Sequence, residues 1–196
     1  MSDTLLAPGL ADPAHDAQRL FRQVLDAMSH PGRIVTLDDA PSGPGALSPA
    51  ATAFLLTLAD RDTPVWLDTA FDLDAVRSFL RFHAGTPIVT TRGDAAFAVV
   101  SFDDPAPLDG FAIGTDTFPD RSATLVIEVP ALQGGAPRTW RGPGIDGAAR
   151  VAIAGPCEAF WRECAANHAS FPCGVDIVFA AGNQLIAMPR SIAVEA

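Results

Sequence analysis

Lysine and tyrosine are absent from this chain of 196 residues, and its 13 positively charged side chains are all arginines. Without lysine, the protein can form no internal Schiff base and has neither a lysine general base nor a Walker-type phosphate loop. Pyridoxal phosphate bound as an aldimine is excluded for the same reason, because that linkage requires a lysine amine. We therefore expect a protein without a cofactor.

Cysteine is scarce, and long apolar runs are missing. Three cysteines, an odd number, do not make a disulfide framework, so we expect reduced thiols. No apolar run approaches the roughly 18 residues that indicate a membrane-spanning helix. The first residues lack the basic and apolar regions of a secretory signal. These features predict a cytoplasmic protein with no membrane partner.

The charge of the chain argues against nucleic acid as a partner. The formal net charge is −10, and the arginines are spread along the sequence instead of clustering in one segment. With 48% hydrophobic and 18% charged residues, the chain can bury a sizeable core. Its length suits one domain, which we expect to span residues 1–196.

Helical and β-branched segments alternate along the first half of the chain. Apolar periodicity and capping residues predict helices at 12–29, 48–59, 72–83 and 156–168. Short apolar runs predict strands at 33–37, 65–67, 87–90, 96–102, 122–129, 150–153, 174–179 and 185–188. Residues 92–94 and 182–183 are interpreted as hairpin turns. The alternation is typical of parallel crossover units, so we expect an α/β fold with a mixed sheet between helical layers.

Three arginines stand at predicted strand ends, near glycine and proline. Arg121 precedes the strand at 122–129, Arg141 precedes a Gly-Pro-Gly turn at 142–144, and Arg190 follows the last predicted strand. Side chains converge at strand ends in α/β folds. Guanidinium groups beside exposed backbone amides bind phosphate or carboxylate groups, and glycine lets the backbone approach a ligand closely.

An anion site is one of two interpretations of these residues. In the other, the arginines pair with Asp116, Asp120 or Asp176 inside the protein, or form salt bridges with a partner subunit. The sequence supports both interpretations equally. The candidate residues for anion binding or for an interface are Arg121, Arg141, Gly142, Gly144 and Arg190.

Four potential soft metal ligands lie close together in the sequence, namely Cys157, Cys164, His168 and Cys173. The first three fall on one face of the helix predicted at 156–168. However, tight two-residue ligand pairs are absent, and buried cysteine is an ordinary core residue. A thiol nucleophile at Cys173 is supported only by its proximity in sequence to His168 and Asp176. We therefore expect no metal site, and no catalytic residue stands out.

Five motifs in succession resemble those of the PhnH family, a subunit of the bacterial carbon–phosphorus lyase machinery for phosphonate use. Each motif alone is unspecific, but their order and spacing along nearly the whole chain are specific. They lie at residues 21–33, 114–126, 142–145, 171–176 and 188–190.

The resemblance implies a fold, partners and a reaction. PhnH proteins have a three-layer α/β/α sandwich similar to the large domain of pyridoxal-phosphate transferases, without the cofactor site. They form homodimers in isolation and join the PhnG, PhnI and PhnJ subunits in a core complex. With PhnL, the PhnG, PhnH and PhnI subunits support displacement of adenine from MgATP by a phosphonate, which yields ribose 1-phosphonate 5-triphosphate.

The function expected from the resemblance is that of an accessory subunit, because catalysis of this step is credited to PhnI. A phosphonate or a nucleotide would then be the ligand at an arginine site. The alternative is a stand-alone binding protein or enzyme for a phosphorylated metabolite, which would use Arg121, Arg141 and Arg190.

Overall fold

The computed structural model describes residues 7–104 and 107–195, which contain four α-helices. These are α1 (Pro13–Ser29), α2 (Pro49–Leu58), α3 (Asp74–His83) and α4 (Glu158–Ala169). The predicted helices are confirmed. Asp12 and Ser48 accept hydrogen bonds from the first turns of α1 and α2, and each is followed by proline, as their sequences predicted. None of the helices in the described ranges is long and apolar enough to cross a membrane.

In the described residues, ten strands form two sheets. They are β1 (Val35–Thr36), β2 (Val65–Leu67), β3 (Ile88–Val89), β4 (Phe97–Ser101), β5 (Thr124–Glu128), β6 (Arg138–Arg141), β7 (Ala149–Val151), β8 (Asp176–Ala181), β9 (Gln184–Met188) and β10 (Ala193–Glu195). The larger sheet has seven strands in the order β1-β9-β8-β5-β4-β2-β3. Strands β3, β2, β4, β5 and β8 pair in parallel, whereas β9 is antiparallel to both β8 and β1. The predicted mixed sheet is confirmed.

Successive residues of the central strands point into two different cores, because side chains alternate across a pleated sheet. In β5, Val126 belongs to the core beneath helices α1, α2 and α3. Leu125 and Ile127 belong to the core on the opposite face. The prediction that this segment is a buried strand is confirmed, and both faces of the sheet are covered.

The layer on the second face differs from the predicted helical layer. It consists of α4 together with a three-stranded antiparallel sheet in the order β10-β6-β7. Trp140 of β6 is fully buried there, with its ring centroid 6.4 Å from that of Trp161 and 6.2 Å from that of Phe179. Strand β6 was not predicted because Arg-Thr-Trp-Arg contains one apolar residue, so its extended conformation depends on pairing with β7 and β10.

The two predicted hairpin turns had different outcomes. Residues 182–183 connect the antiparallel strands β8 and β9, which confirms that hairpin. The prediction for Arg92–Asp94 is wrong, because this segment forms a 3₁₀ turn between strands that do not pair with each other. Both β3 and β4 pair with β2 in parallel, so the connection crosses over β2. A polar turn residue pattern does not distinguish a hairpin from a crossover.

Candidate functional site

Arg190 is held within the chain by a network of hydrogen bonds. Its Nε and one terminal nitrogen donate to the two carboxylate oxygens of Asp176, at 3.1 and 2.5 Å. That same terminal nitrogen also donates to Ser122 Oγ, and the other donates to the Pro119 carbonyl at 2.7 Å. The side chains of Arg190 and Asp176 are 14% and 19% exposed. All three guanidinium nitrogens are therefore engaged, and they fasten the loop before β5 to the start of β8.

Arg121 lies beside this network but faces solvent. Its guanidinium carbon is 4.3 Å from the centroid of the Phe118 ring, which is itself about half exposed. Ile113 and Phe171 are two further exposed apolar residues. Their loops adjoin Arg121, because Ile113 forms a β-bridge with Ser122 and its carbonyl accepts a hydrogen bond from the Gly174 N–H. We call the exposed residues Ile113, Phe118, Arg121 and Phe171 the amino-edge surface.

Arg141 ends β6 and is half exposed. One of its terminal nitrogens donates to the Gly147 carbonyl at 3.2 Å, and its Nε lies 3.6 Å from a carboxylate oxygen of Glu195. A Cβ added to Gly142 would lie 2.8 Å from the Ser191 carbonyl oxygen, and one added to Gly144 would lie 2.3 Å from that of Ser29. These two glycines thus allow segments of the protein's own backbone to pack closely against each other.

The three candidate arginines do not converge at the usual ligand edge of an α/β sheet. Strands β5 and β8 begin at Thr124 and Asp176, so Arg121 and Arg190 lie at the edge where the parallel strands start. Arg141 belongs to the smaller sheet, where it pairs with Ala193. Ligands in α/β folds bind at the carboxyl ends of the strands. The sequence correctly predicted that each arginine lies at a strand end. It does not specify on which edge of which sheet that end lies.

Two carboxyl groups of the chain lie at the carboxyl edge of the large sheet. Glu128, at the end of β5, accepts a hydrogen bond from the Ser48 N–H at 2.7 Å, at the start of α2. Burial raises the pKa of Glu128 to about 7, although this hydrogen bond acts in the opposite direction. Asp68, after β2, accepts the Ser101 N–H at 3.1 Å. Two carboxylates of the chain thus occupy backbone donors that a bound anion would otherwise use.

The sequence analysis did not predict a structural role for Glu128, although the sequence contains an indication of one. It is the one charged residue in the apolar run at 122–129. A lone carboxylate at the end of a buried strand indicates a specific partner, because burying an unpaired charge is costly. The identity of that partner depends on the fold, since Ser48 lies 80 residues away in sequence.

The cysteines lie in three different environments. Cys157 is exposed just before α4, where backbone N–H groups at the helix start lower its pKa. Cys164 is buried, and desolvation raises its pKa well above the ordinary value. The Cys173 thiol lies 3.6 Å from an Asp116 carboxylate oxygen. Within residues 7–104 and 107–195, no group of three or more His, Cys, Asp or Glu side chains is arranged to hold a metal ion.

Open clefts adjoin strand β1, at the edge of the large sheet. One, of about 380 Å³, lies toward α1 and is lined by Arg22, Asp26 and Arg33. Two others, of about 410 and 420 Å³, lie beside Leu132 and Gln133, and Arg150 of β7 in the smaller sheet lines the second of them. Ile34 borders all three clefts, so they surround one short segment of backbone.

The family model described as "Bacterial phosphonate metabolism protein (PhnH)" matches residues 8–195. The chain belongs to the PhnH family. The resemblance identified from the five motifs is therefore confirmed, and it extends over all the helices and strands described above.

Two curated relatives illustrate the range of similarity. A protein of Rhizobium meliloti (strain 1021), named alpha-D-ribose 1-methylphosphonate 5-triphosphate synthase subunit PhnH, is 40% identical over 186 residues. That match covers 94% of this chain and 93% of the relative. A protein of Stutzerimonas stutzeri, named putative C-P lyase subunit protein HtxG, is 30% identical over 175 residues, covering 89% of this chain and 83% of the relative.

Proposed function

We propose that this protein is an accessory subunit of a ribose 1-phosphonate 5-triphosphate synthase within the carbon–phosphorus lyase system of organophosphonate catabolism. The observation that carries the proposal is the 40% identity with a named subunit of that synthase across 94% of the chain. In this function, the protein supports displacement of adenine from MgATP by a phosphonate. It positions other subunits and contributes no catalytic centre of its own.

The geometry of the sheet supports an accessory function. Glu128 and Asp68, at the usual ligand edge, are committed to hydrogen bonds with backbone N–H groups of the chain. Arg190 is saturated by internal partners, so it has little capacity left for a phosphorylated ligand. A stand-alone arginine-based binding site would require side chains that converge, and the candidate arginines are divided between two sheets.

We further propose that the protein assembles with PhnG, PhnI and PhnJ and forms a homodimer in isolation. Exposed apolar residues on two sides of the molecule support this proposal, because such residues adjoining one another indicate protein contacts. One group is the amino-edge surface. The other is on α1, where Phe21 and Leu25 are 47% and 52% exposed on successive turns.

Membership of the PhnH family also leads us to propose a domain extent, a fold resemblance, a cellular location and a ligand for this protein. The fold is proposed to be a single domain over residues 1–196 that resembles the large domain of pyridoxal-phosphate transferases, and the mixed sheet covered on both faces supports this. The three free cysteines support a cytoplasmic location. A phosphonate or nucleotide at Arg141 or Arg121 is retained as a proposal, since both side chains are exposed and partly unpaired.

Co-expression with the other synthase subunits tests the proposed function. We expect the protein to elute within a larger complex that releases adenine from MgATP when a phosphonate is present, and we expect its omission to abolish that release. The proposal fails if the other subunits form an active complex without the protein.

Arg141→Ala tests an interface or anion function for this residue. The Gly147 and Glu195 contacts are exposed, so we expect a free energy of unfolding within about 1 kcal/mol of wild type together with weaker assembly or slower adenine release. A lower melting temperature with unchanged assembly and activity would show that Arg141 only stabilises the smaller sheet.

A further inference from the structure

Strand β1 forms one edge of the seven-stranded sheet, with β9 on its inner side. No other strand in the described part of the chain pairs with its outer side. Leu37 N–H donates to the Asn183 carbonyl at 2.8 Å, and Val35 is in register with Leu185. In an antiparallel pair, alternate residues direct their backbone groups toward the partner strand. The N–H and C=O groups of Ile34 and Thr36 therefore point outward.

The outer edge of β1 is accessible on both faces of the sheet. The cleft of about 380 Å³ lies on the α1 side, and the cleft of about 420 Å³ lies on the side of the smaller sheet. We call the two clefts, with the edge of β1 between them, the β1 groove. An added strand would lie about 4.8 Å from β1 and direct alternate side chains into the two clefts.

The β1 groove is positively charged in a protein of net charge −10. Its charged lining comprises Arg22 and Arg33 on the α1 side, Arg150 on the other side, and a single acid, Asp26. Asp26 is paired with Arg33 at 3.3 Å and with His30 at 3.1 Å. Within the described residues, neither Arg22 nor Arg150 has an ion pair or a side-chain hydrogen bond. Two exposed guanidinium groups thus remain on opposite faces of the sheet.

We propose that the β1 groove binds an extended acidic segment of another synthase subunit, which adds to the sheet as a strand beside β1. The backbone of that segment pairs with Ile34 and Thr36. Its acidic side chains alternate between Arg22 and Arg33 in one cleft and Arg150 in the other. This inference rests on the proposed function, because it requires assembly with other subunits.

A second copy of this chain is a poorer occupant of the groove. Pairing β1 with the β1 of another copy around a two-fold axis would bring the same arginines of both copies together, and like charges in one interface repel. An acidic segment neutralises them instead. The shortness of β1 fits this arrangement, because a short, charged edge resists indiscriminate strand pairing while accepting a complementary one.

Two pairs of variants test the inference by co-expression with the other synthase subunits. Thr36→Pro removes the outward N–H and places a ring at the edge, whereas Thr36→Val keeps the N–H and the branched shape. Arg150→Glu replaces a positive charge in the groove by a negative one, whereas Arg61→Glu makes the same change outside the groove, at a side chain that is 87% exposed. We expect capture of the other subunits to fall more than about tenfold for Thr36→Pro and Arg150→Glu. Both controls should assemble as wild type does.

Amide hydrogen exchange of the unmodified protein provides a measurement that does not depend on the folding of any variant. We expect the Ile34 and Thr36 amides to exchange rapidly in the isolated protein and slowly in the complex. The inference is overturned if these amides exchange alike in both, or if Arg150→Glu assembles as well as Arg61→Glu. Failure of the wild-type protein to join any complex would instead refute the proposed function, so the two failures are distinguishable.

Discussion

Replacement of Glu128 by glutamine is expected to remove a loss of stability that the wild-type protein undergoes as the pH rises from about 4.5 to about 8. Two physical effects oppose each other at this carboxyl group. Burial at the end of β5 disfavours the charged form, while the Ser48 N–H at the start of α2 favours it. Burial is the larger effect, and the pKa rises from its ordinary value of 4.5 to about 7. Glutamine keeps the carbonyl acceptor for Ser48 but cannot ionise.

The magnitude follows from the difference between the two pKa values. The difference between a pKa of about 7 and one of 4.5, at 1.36 kcal/mol per pKa unit, corresponds to about 3 kcal/mol. Because the folded-state pKa is raised, the folded protein binds the proton more tightly than the unfolded chain does. The favourable contribution of Glu128 is therefore fully present below its ordinary pKa of 4.5, and it is lost as the pH rises through about 7. Glu128→Gln should accordingly gain about 3 kcal/mol relative to wild type between about pH 4.5 and pH 8.

Urea unfolding of both proteins across this pH range measures the effect. Other carboxyl groups have pKa values lowered by hydrogen bonds, and they give stability the opposite pH dependence; they are Asp12, Asp16, Asp60 and Glu158. Their contribution cancels in the difference between wild type and variant, provided that the urea m-values agree. A difference that does not vary with pH, or one that increasingly favours wild type as the pH rises, would refute the dominance of burial over the helix terminus.

Three further predictions concern stability and thiol reactivity. Arg190→Ala should lower the free energy of unfolding by about 3 kcal/mol, because it leaves the largely buried Asp176 carboxylate without its cation. Arg121→Ala should lower it by less than about 1 kcal/mol. Equal melting temperatures for the two variants would contradict this prediction. Gly144→Ala should lower the free energy of unfolding by about 2 kcal/mol more than Gly147→Ala does. Both glycines have a positive φ, but only a Cβ at position 144 would meet backbone atoms. Equal unfolding free energies for the two variants would show that the turn at Gly144 relaxes. Cys157 should react with a thiol reagent at neutral pH faster than free cysteine does, because its pKa is lowered at the start of α4. Mass spectrometry of the modified protein measures this rate. A slower reaction would refute the lowering of the Cys157 pKa by the start of the helix.

Local sequence determined the helices, one hairpin and the family. Proline after a capping residue marks the starts of α1 and α2, and both signals act within a few residues. The hairpin at 182–183 likewise depends on adjacent residues. The motifs identified the PhnH family through their order and spacing along nearly the whole chain, and the family model matches residues 8–195. The lack of lysine excluded an aldimine cofactor without reference to any fold.

Tertiary structure alone decided which strand ends meet. Arg121 and Arg190 were correctly placed at strand ends, but the antiparallel course of β9 brings Arg190 to the edge where β5 and β8 begin. Strand β6 became a strand only through its pairing with β7 and β10, and Glu128 found its partner 80 residues away. The physical reason is that side-chain periodicity specifies which face of a strand is buried, whereas strand order and direction depend on contacts between distant segments.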